Sequence, residues 1–587
     1  MKTIALLPAL LVSAAVAQNL PKGLTEAEKA ILPDYYRNYS VQSNRGITTP
    51  PVGSIRCAAE WEEIQTLVIT WTGQYNGIQS QIVDAAQEEC RVLVVCNDST
   101  AVKTQLTNRG VPHTNVSFIE GPFNSVWIRD YAANTMYFND VDDLFLVDWI
   151  YNRPRPDDDV MPDLHAQFHN IDLYTTTVAP TDLVNTGGNW MSDGFGTAFA
   201  SELIIEENEP GNPYSVTAKT EPQIDAIMSD FMGITRYIKM PVLPYDGIHH
   251  IDMHMKLIDE ETLLVSEYPT GVADGPQIEA NLQYVLSTFN SMYGTPYRVV
   301  RITVPPSTGG AYPDNGGYYR TYSNNVFING TVLVPYYRAE YDTIAERTLK
   351  EALPGYKIIG IDVDNSGENL ISSSGAIHCI THSIGVEDPM LISHQRLDDT
   401  YDDQNPYLVD AFIKHTSGIA SATLYWTTDT TAGYAPVAMT AAGSDHYHGY
   451  IPAQPVGTRI FYYVQGTAVS GKVQVRPIVA PTGYWMFRVL GPTNVNELPQ
   501  QGVVLSEPFP NPAKAITCVP VNLEAALSGR VYITDVTGRF VAELFNGTLP
   551  RGESKYFFNA GEFAPGSYHV VVETDAVRVA KSVIISH

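Results

Sequence analysis

Hydrophobic and polar positions follow two regimes along this chain. Between about residues 66 and 380, short apolar runs of strand length (66–71, 92–96, 116–120, 263–266 and 332–335) alternate with segments of helical period. The clearest helices are expected over 78–89 and 100–108, the second opened by the capping candidates Asp98 and Ser99. This stretch therefore predicts an α/β domain. Beyond about Pro389 the helical period disappears. Residues 423–427, 459–465 and 484–489 alternate or run β-rich between Gly, Pro, Thr and Ser, which fits a β-sandwich of about 100 residues. After a linker at Gly491-Pro492-Thr493, further β runs at 503–506, 508–512, 531–536, 568–572 and 577–585 predict a second all-β unit. No short-period repeat or low-complexity tract interrupts the pattern.

The first residues follow a different logic. Lys2, the apolar stretch 4–12 and Ala15-Val16-Ala17 before Gln18 have the layout of a cleaved secretory signal. No later segment approaches the 18 or so consecutive apolar residues of a membrane span. Export permits disulfides, yet Cys90 and Cys96 flank five residues that read as a stiff strand, which holds its ends too far apart to be bridged. The five cysteines include no Cys-x-x-Cys pair, so the usual zinc-ribbon spacing is excluded.

At 587 residues the chain exceeds a single simple domain. With 44% hydrophobic residues it can bury sizeable cores, and 36 basic against 64 acidic side chains leave a net charge of −28. That charge argues against non-specific binding to nucleic acid or anionic lipid. It suits a cationic partner, although acidity alone also serves solubility.

Four local patterns carry chemistry. In Ile248-His249-His250-Ile251-Asp252-Met253-His254-Met255-Lys256-Leu257, read as a strand, period two places His250, Asp252, His254 and Lys256 on one face and apolar residues on the other. An imidazole beside a carboxylate suits acid/base work on a cation; a half-exposed edge strand or a zinc site using His250, Asp252 and His254 are the other readings. In Gly375-Ala376-Ile377-His378-Cys379-Ile380-Thr381-His382 a cysteine sits among histidines, so Cys379 is either a nucleophile or an inert buried thiol. In Trp127-Ile128-Arg129-Asp130-Tyr131 a carboxylate beside aromatics could grip a planar cation, or pair with its neighbour Arg129. The glycine-rich 185–197 lacks the spacing of a phosphate loop and reads as a turn-forming hairpin or a close approach to ligand.

Taken together and in order, Trp127-Ile128-Arg129-Asp130, Gly187-Gly188-Asn189 with Asp193-Gly194-Phe195-Gly196-Thr197, His250-Ile251-Asp252, Tyr322-Ser323-Asn324 and Ile377-His378-Cys379-Ile380-Thr381 resemble the guanidino-group-modifying superfamily. The likeness is to the branch of agmatine deiminases and bacterial (Porphyromonas-type) peptidylarginine deiminases. It implies a five-bladed α/β-propeller in which Cys379 is the nucleophile, His250 the general acid/base, Asp130 and Asp252 the guanidinium clamp, and Asn324 a polar neighbour of the thiol. Trp127 and Ile248 are expected to line the substrate site. No cofactor is required for the reaction the resemblance implies, and a structural ion stays open. Two carboxylates in one cavity would repel, and a bound cation restores the balance.

Arg153 and Arg155, in Asn152-Arg153-Pro154-Arg155-Pro156, resemble the element that receives the α-carboxylate of a C-terminal arginine in the peptidyl enzymes; the bland reading is a surface loop with solvated arginines. The sandwich resembles the immunoglobulin-like domain of those enzymes, and the last ~90 residues resemble the C-terminal sorting domain of type IX secretion cargo. The expected organisation is a signal at 1–17, an N-terminal segment at 18–49, the catalytic propeller at 50–389, the immunoglobulin-like sandwich at 390–490, and linker with sorting domain at 491–587. The resemblance implies a secreted or cell-surface monomer acting on arginine-containing peptides or proteins, with tail removal and attachment to outer-membrane lipopolysaccharide as a further implication. Agmatine or free-arginine deiminase, a zinc-dependent secreted hydrolase and a non-enzymatic surface adhesin are the competing functions. His249, His254 and His382 crowd the site and leave open which histidine serves it.

Overall fold

The computed structural model of the chain describes residues 20–38, 46–490, 502–574 and 577–586. The expected signal at 1–17 and the linker at 491–493 lie outside the described residues. Two compact units divide at residue 490.

The α/β part of the first unit holds five separate sheets built to one plan. In each, an antiparallel pair adjoins a parallel pair whose second strand is reached through helix. Thr262–Glu267, for example, pairs antiparallel with Met255–Asp259 and, across the helix Gly275–Thr288, parallel with Arg298–Thr303. Thr331–Tyr336 does the same with Val326–Ile328 and, across Ala339–Ala352, with Lys357–Asp362. Thr197–Ser201 pairs with Met191–Ser192 and Arg236–Met240, and Leu144–Tyr151 with Asn134–Phe138 and Asp172–Thr176. The remaining sheet joins the two ends of the region, because His382–Gly385 pairs antiparallel with Ile64–Thr70, which runs parallel to Arg91–Cys96. The repeat is one of topology, and it leaves no short-period trace in the residues.

Local physics explains why the elements start where they do. Asp98 caps the helix Ser99–Asn108 by accepting from the amides of Thr100 and Ala101, satisfying donors that the first helical turn leaves free. The strand Arg91–Cys96 buries both faces, as parallel strands covered by helices do, so it reads as a continuous apolar run. The helix expected at 78–89 spans Asn76–Ala86. All five cysteines are free, Cys90 and Cys96 included.

The segment 248–257 departs from its expected strand. A 3-10 turn occupies Ile251–Met253, and only Met255–Asp259 is extended. Polar and apolar side chains are buried alike, so alternation along this stretch reports no solvent face. His250, Asp252, His254 and Lys256 therefore do not share one strand face.

Beyond residue 390, two antiparallel sheets share one core. The first carries Tyr407–Lys414 and His446–Ile451, the second Ile419–Thr427 and Arg459–Ala468, and Val409, Leu424, Ile451 and Tyr462 meet between them. Ion pairs bind this sandwich to the α/β part: Arg476 to Glu260 at 3.0 Å, Arg396 to Asp259 at 2.8 Å and Lys472 to Glu63 at 2.8 Å. The second unit is also all β, with Ile516–Leu523, Leu527–Asp535, Gly566–Thr574 and Arg578–Ile585 around its own core. Residues 508–512 form no strand there; Phe509 makes a lone bridge to Cys518.

The pairing of Arg476 with Glu260 is nearly dry, with side-chain exposures of 12% and 7%. Removing one partner strands a buried charge, which costs roughly 3–5 kcal/mol. Arg476→Met should therefore lower the unfolding free energy by about that amount in urea titrations. Adding Glu260→Leu should recover most of the loss, because no unpaired charge remains.

Candidate active site

Each of the five sheet units is entered by a turn, and those turns carry the chemically distinctive residues. Asp130 precedes the strand Asn134–Phe138, Gly188 and Asn189 precede Met191–Ser192, and Asp252 precedes Met255–Asp259. Asn324 precedes Val326–Ile328, and Cys379 precedes His382–Gly385. Equivalent positions of five repeated units thus bring together groups scattered over some 250 residues of chain.

Cys379 is fully buried in the 3-10 turn His378–Ile380. Asn324 holds that turn, its carbonyl and Oδ1 accepting from the amide of His378 at 3.2 and 3.1 Å, while its Nδ2 donates to Cys379 Sγ at 3.2 Å. Asp252 Oδ2 lies 3.7 Å from the same sulfur and accepts from His378 Nδ1 at 2.8 Å. The other ring nitrogen of His378 meets Glu60 at 2.9 Å, and Glu60 pairs with Lys256 at 2.7 Å. This line of groups fixes the orientation of the Asp252 carboxylate.

Asp130 and His250 form the opposite wall. Asp130 Oδ1 lies 3.6 Å from His250 Nδ1. Gly188 is required here, because a Cβ would sit 2.4 Å from His250 Nδ1 and 2.9 Å from Asp130 Oδ1. A chain of hydrogen bonds sets the histidine: Asn189 Oδ1 accepts from the Ser201 amide at 2.8 Å, Ser201 Oγ donates to the carbonyl of His249 at 2.6 Å, and Asp246 accepts from the amides of Ile248 and His250. His249 adopts a positive φ of 58°, which turns the chain sharply before His250. Both ring nitrogens of His250 and one oxygen each of Asp130 and Asp252 find no hydrogen-bond partner among the described residues. Buried polar atoms are usually satisfied, so these four, gathered within one cluster, are candidate contacts for a polar ligand.

A cation faces these groups, and it comes from near the start of the chain. Lys22 Nζ lies 2.8 Å from Cys379 Sγ and 3.8 Å from Asp130 Oδ1, with no solvent exposure. Burial would depress its charge, but Asp130, Asp252 and Cys379 outweigh burial and raise its pKa. The Cys379 thiol is pushed up to about 12 by burial first and then by Asp252 and Asp130, with Lys22 opposing them. Burial also lowers the His250 pKa, aided by Lys22, so its imidazole is neutral. Asp252 stays ionised, since Lys22 and His378 overcome the burial that would neutralise it.

The arginines expected to sit near the site do so, and neither is solvated. Arg153 Nε donates to the carbonyl of Lys22 at 3.1 Å, and Arg155 pairs with Glu28 at 2.7 Å while donating to the carbonyl of Pro21 at 2.8 Å. Trp127 donates from its indole nitrogen to the carbonyl of Leu20 at 2.9 Å, and its ring packs so near Gly375 that a Cβ there would be 2.4 Å away. Asp130 and Arg129 diverge rather than pair, Arg129 Nε donating to the carbonyl of His378. Ile248 belongs to the hydrophobic core, its side chain packed there and its amide held by Asp246. His382 meets the carbonyl of Ala133 at 2.8 Å. Among the described residues no group of three or more His, Cys, Asp or Glu side chains is placed to hold a metal ion, so His250, Asp252 and His254 do not converge on one.

Sequence reasoning missed Lys22, Glu60, His378 and Asp246 as parts of the site. Lys22 carried no local signal, since a lysine between Pro21 and Gly23 outside any periodic segment looks solvated. His378 was visible beside Cys379 but without a partner until the fold supplied Asp252 and Glu60.

Comparisons with known proteins bear on this geometry. Residues 56–384 match the family model for the Porphyromonas-type peptidyl-arginine deiminase, and residues 507–586 match that of a secretion system C-terminal sorting domain. A protein of Vibrio parahaemolyticus named "Putative agmatine deiminase" is 24% identical over 372 residues, covering 57% of this chain and 98% of its own. One of the same name from Streptococcus mutans is 25% identical, covering 57% and 96%. An X-ray structure described as a "putative agmatine deiminase" shares the fold at a TM-score of 0.51 and 20% identity, covering 58% of this chain and 99% of its own.

Because Asp252 is second only to burial in raising the Cys379 pKa, Asp252→Asn should let the thiol ionise at lower pH. The thiolate absorbance difference against Cys379→Ser, titrated through alkaline pH, should shift its midpoint downward. An unchanged or higher midpoint would show that the carboxylate does not act on the sulfur.

Proposed function

The chain belongs to the Porphyromonas-type peptidyl-arginine deiminase family, within the guanidino-group-modifying superfamily, and from that premise we propose that it is an exported peptidylarginine deiminase. It would hydrolyse the guanidinium of peptide arginine, preferentially at a C-terminus, to citrulline and ammonia. The observation that carries the reading is a cation held against a buried thiol and Asp130, with Asp252 3.7 Å from the same sulfur: the ammonium of Lys22 stands where one nitrogen of a guanidinium would.

The residues fit each step. A guanidinium is planar and always charged, so Asp130 and Asp252 can grip its nitrogens and turn its central carbon to Cys379. Its positive charge favours the thiolate, as Lys22 does here, and the thiol proton passes to neutral His250. Sulfur bonds to the central carbon, His250 returns the proton to one nitrogen, and the C–N bond breaks to release ammonia. Water then adds to the same carbon of the S-alkylthiouronium, giving its proton to His250. The C–S bond breaks, Cys379 is restored and a ureido group leaves. Asn324, donating to the sulfur, steadies the thiolate.

Two observations support the peptidyl subtype over agmatine, the substrate in the names of the relatives. Arg153 and Arg155 are buried beside the site and already bind carbonyl and carboxylate oxygens, which agmatine lacks. The secretion sorting domain marks the chain for type IX export, which suits a peptide substrate outside the cell. In this reading the five sheets are the blades of the propeller, the sandwich is immunoglobulin-like, and the sorting domain is removed on export, leaving the enzyme secreted or held on surface lipopolysaccharide. It acts as a monomer without a cofactor.

Citrulline and ammonia should form fastest from a peptide ending in arginine, more slowly from its amide, and slowest from agmatine; Cys379→Ser should abolish both products. Arg153→Ala should lower kcat/KM for the free acid about tenfold or more, the loss of a charge-assisted hydrogen bond, and erase its advantage over the amide. Equal rates on acid and amide would defeat the carboxylate role, and agmatine as the best substrate would defeat the subtype.

A further inference from the structure

The segment that delivers Lys22 lies in the site as a peptide would. Its backbone is held at successive residues: the carbonyl of Leu20 by Trp127, that of Pro21 by Arg155, and that of Lys22 by Arg153, while the Lys22 amide donates to the carbonyl of Ser373 at 3.1 Å. The side chain of Lys22 then reaches the thiol and the carboxylate of Asp130. Such engagement at once of the nucleophile, the clamp and both arginines is more than a surface tail would make by chance.

Behind Lys22 the segment is anchored by structure of its own. The helix Glu26–Arg37 opens with a capping box in which Thr25 and Glu28 satisfy each other's amides. Glu28 also reaches Arg155 at 2.7 Å, so its carboxylate fills the position at which an arginine fork would take a carboxylate. Farther along, Leu32 and Tyr36 are buried against Ile150, Val184 and Tyr214, and the Tyr36 hydroxyl donates to the carbonyl of Tyr151.

We propose that residues 20–38 are an internal pseudosubstrate that keeps the enzyme latent, Lys22 taking the place of the target arginine. The proposal rests on the deiminase reading of the site and adds its regulation. Lysine suits the role chemically: its ammonium pairs with Asp130 and balances the charge of Asp252, yet it has no electrophilic carbon between nitrogens for Cys379 to attack. The segment therefore binds without being consumed. Tethering raises its effective concentration at the site to the millimolar range, against which a free peptide must compete. Activity appears when the segment is displaced or cut away.

The test uses the full chain. In Lys22→Ala, KM for a peptide ending in arginine should fall and kcat/KM rise about tenfold or more, with kcat little changed. Chloroacetamidine, an alkylating cation that takes the guanidinium position and itself favours the thiolate, should label Cys379 faster in the same proportion, as mapped by peptide mass. A synthetic peptide of residues 20–37 should restore both protections to Lys22→Ala competitively, whereas the same peptide carrying Lys22→Ala should not. Lys22→Met, which keeps an apolar stem without the charge, should behave like Lys22→Ala, and thermal unfolding with unchanged labelling of Cys57 separates unblocking from loss of fold. Unaltered KM and unaltered Cys379 labelling in both variants would overturn the proposal. If no variant produces citrulline from any substrate while labelling still responds to Lys22, the deiminase reading fails and the pseudosubstrate contact stands.

Discussion

Two carboxylates and a thiol buried in one cavity require a cation among them. Desolvation raises the pKa of Asp130 and of Cys379, and the mutual repulsion of Asp130 and Asp252 raises it further, so the cluster without a cation tends toward neutral, unreactive forms. A cation placed beside them opposes each effect, as Lys22 does for Asp130 and for Cys379. Under the proposed function, specificity for a permanently charged guanidinium is tied to reactivity, because the group to be recognised is the group that favours the thiolate. His250 contributes from the neutral side, since its burial keeps it free to accept a proton.

That constraint sets demands on the surrounding fold. A carboxylate that must stay ionised in a dry cavity needs fixed partners, and Asp252 has His378, itself held by Glu60, which is held by Lys256. A histidine that must stay neutral yet precisely aimed needs a rigid backbone, supplied by Asp246, Ser201 and the left-handed turn at His249. Gly188 makes room for both walls. Five copies of one strand arrangement give each of these groups a short turn ahead of a buried strand, a rigid mount for side chains that must meet within a few ångströms.

The flanking parts obey simpler rules. The sandwich is tied to the α/β part by ion pairs of low exposure, where a charge is costly unless paired. The sorting domain has a separate core and belongs to a separate unit, as befits a module whose task concerns export. No helix among the described residues is long and apolar enough to cross a membrane.

Much of this was legible in the residues. Local rules located the helix capped by Asp98, the strands of the α/β region and the β character beyond residue 390, because capping and burial act within a few positions. The order of short motifs pointed, through a family resemblance, to Cys379, His250, Asp130, Asp252 and Asn324, and the structure brings these side chains together. Periodicity misled at 248–257, where burial on all sides removes the contrast on which alternation depends. What only the tertiary structure decided is partnership at long range. Lys22 is 357 residues from Cys379 and Glu60 is 318 from His378, distances over which sequence carries no mark of contact. The sequence by itself determined which side chains are on hand for the proposed chemistry; packing at long range determined which of them meet, and that a cation meeting the thiol is one of the chain's own.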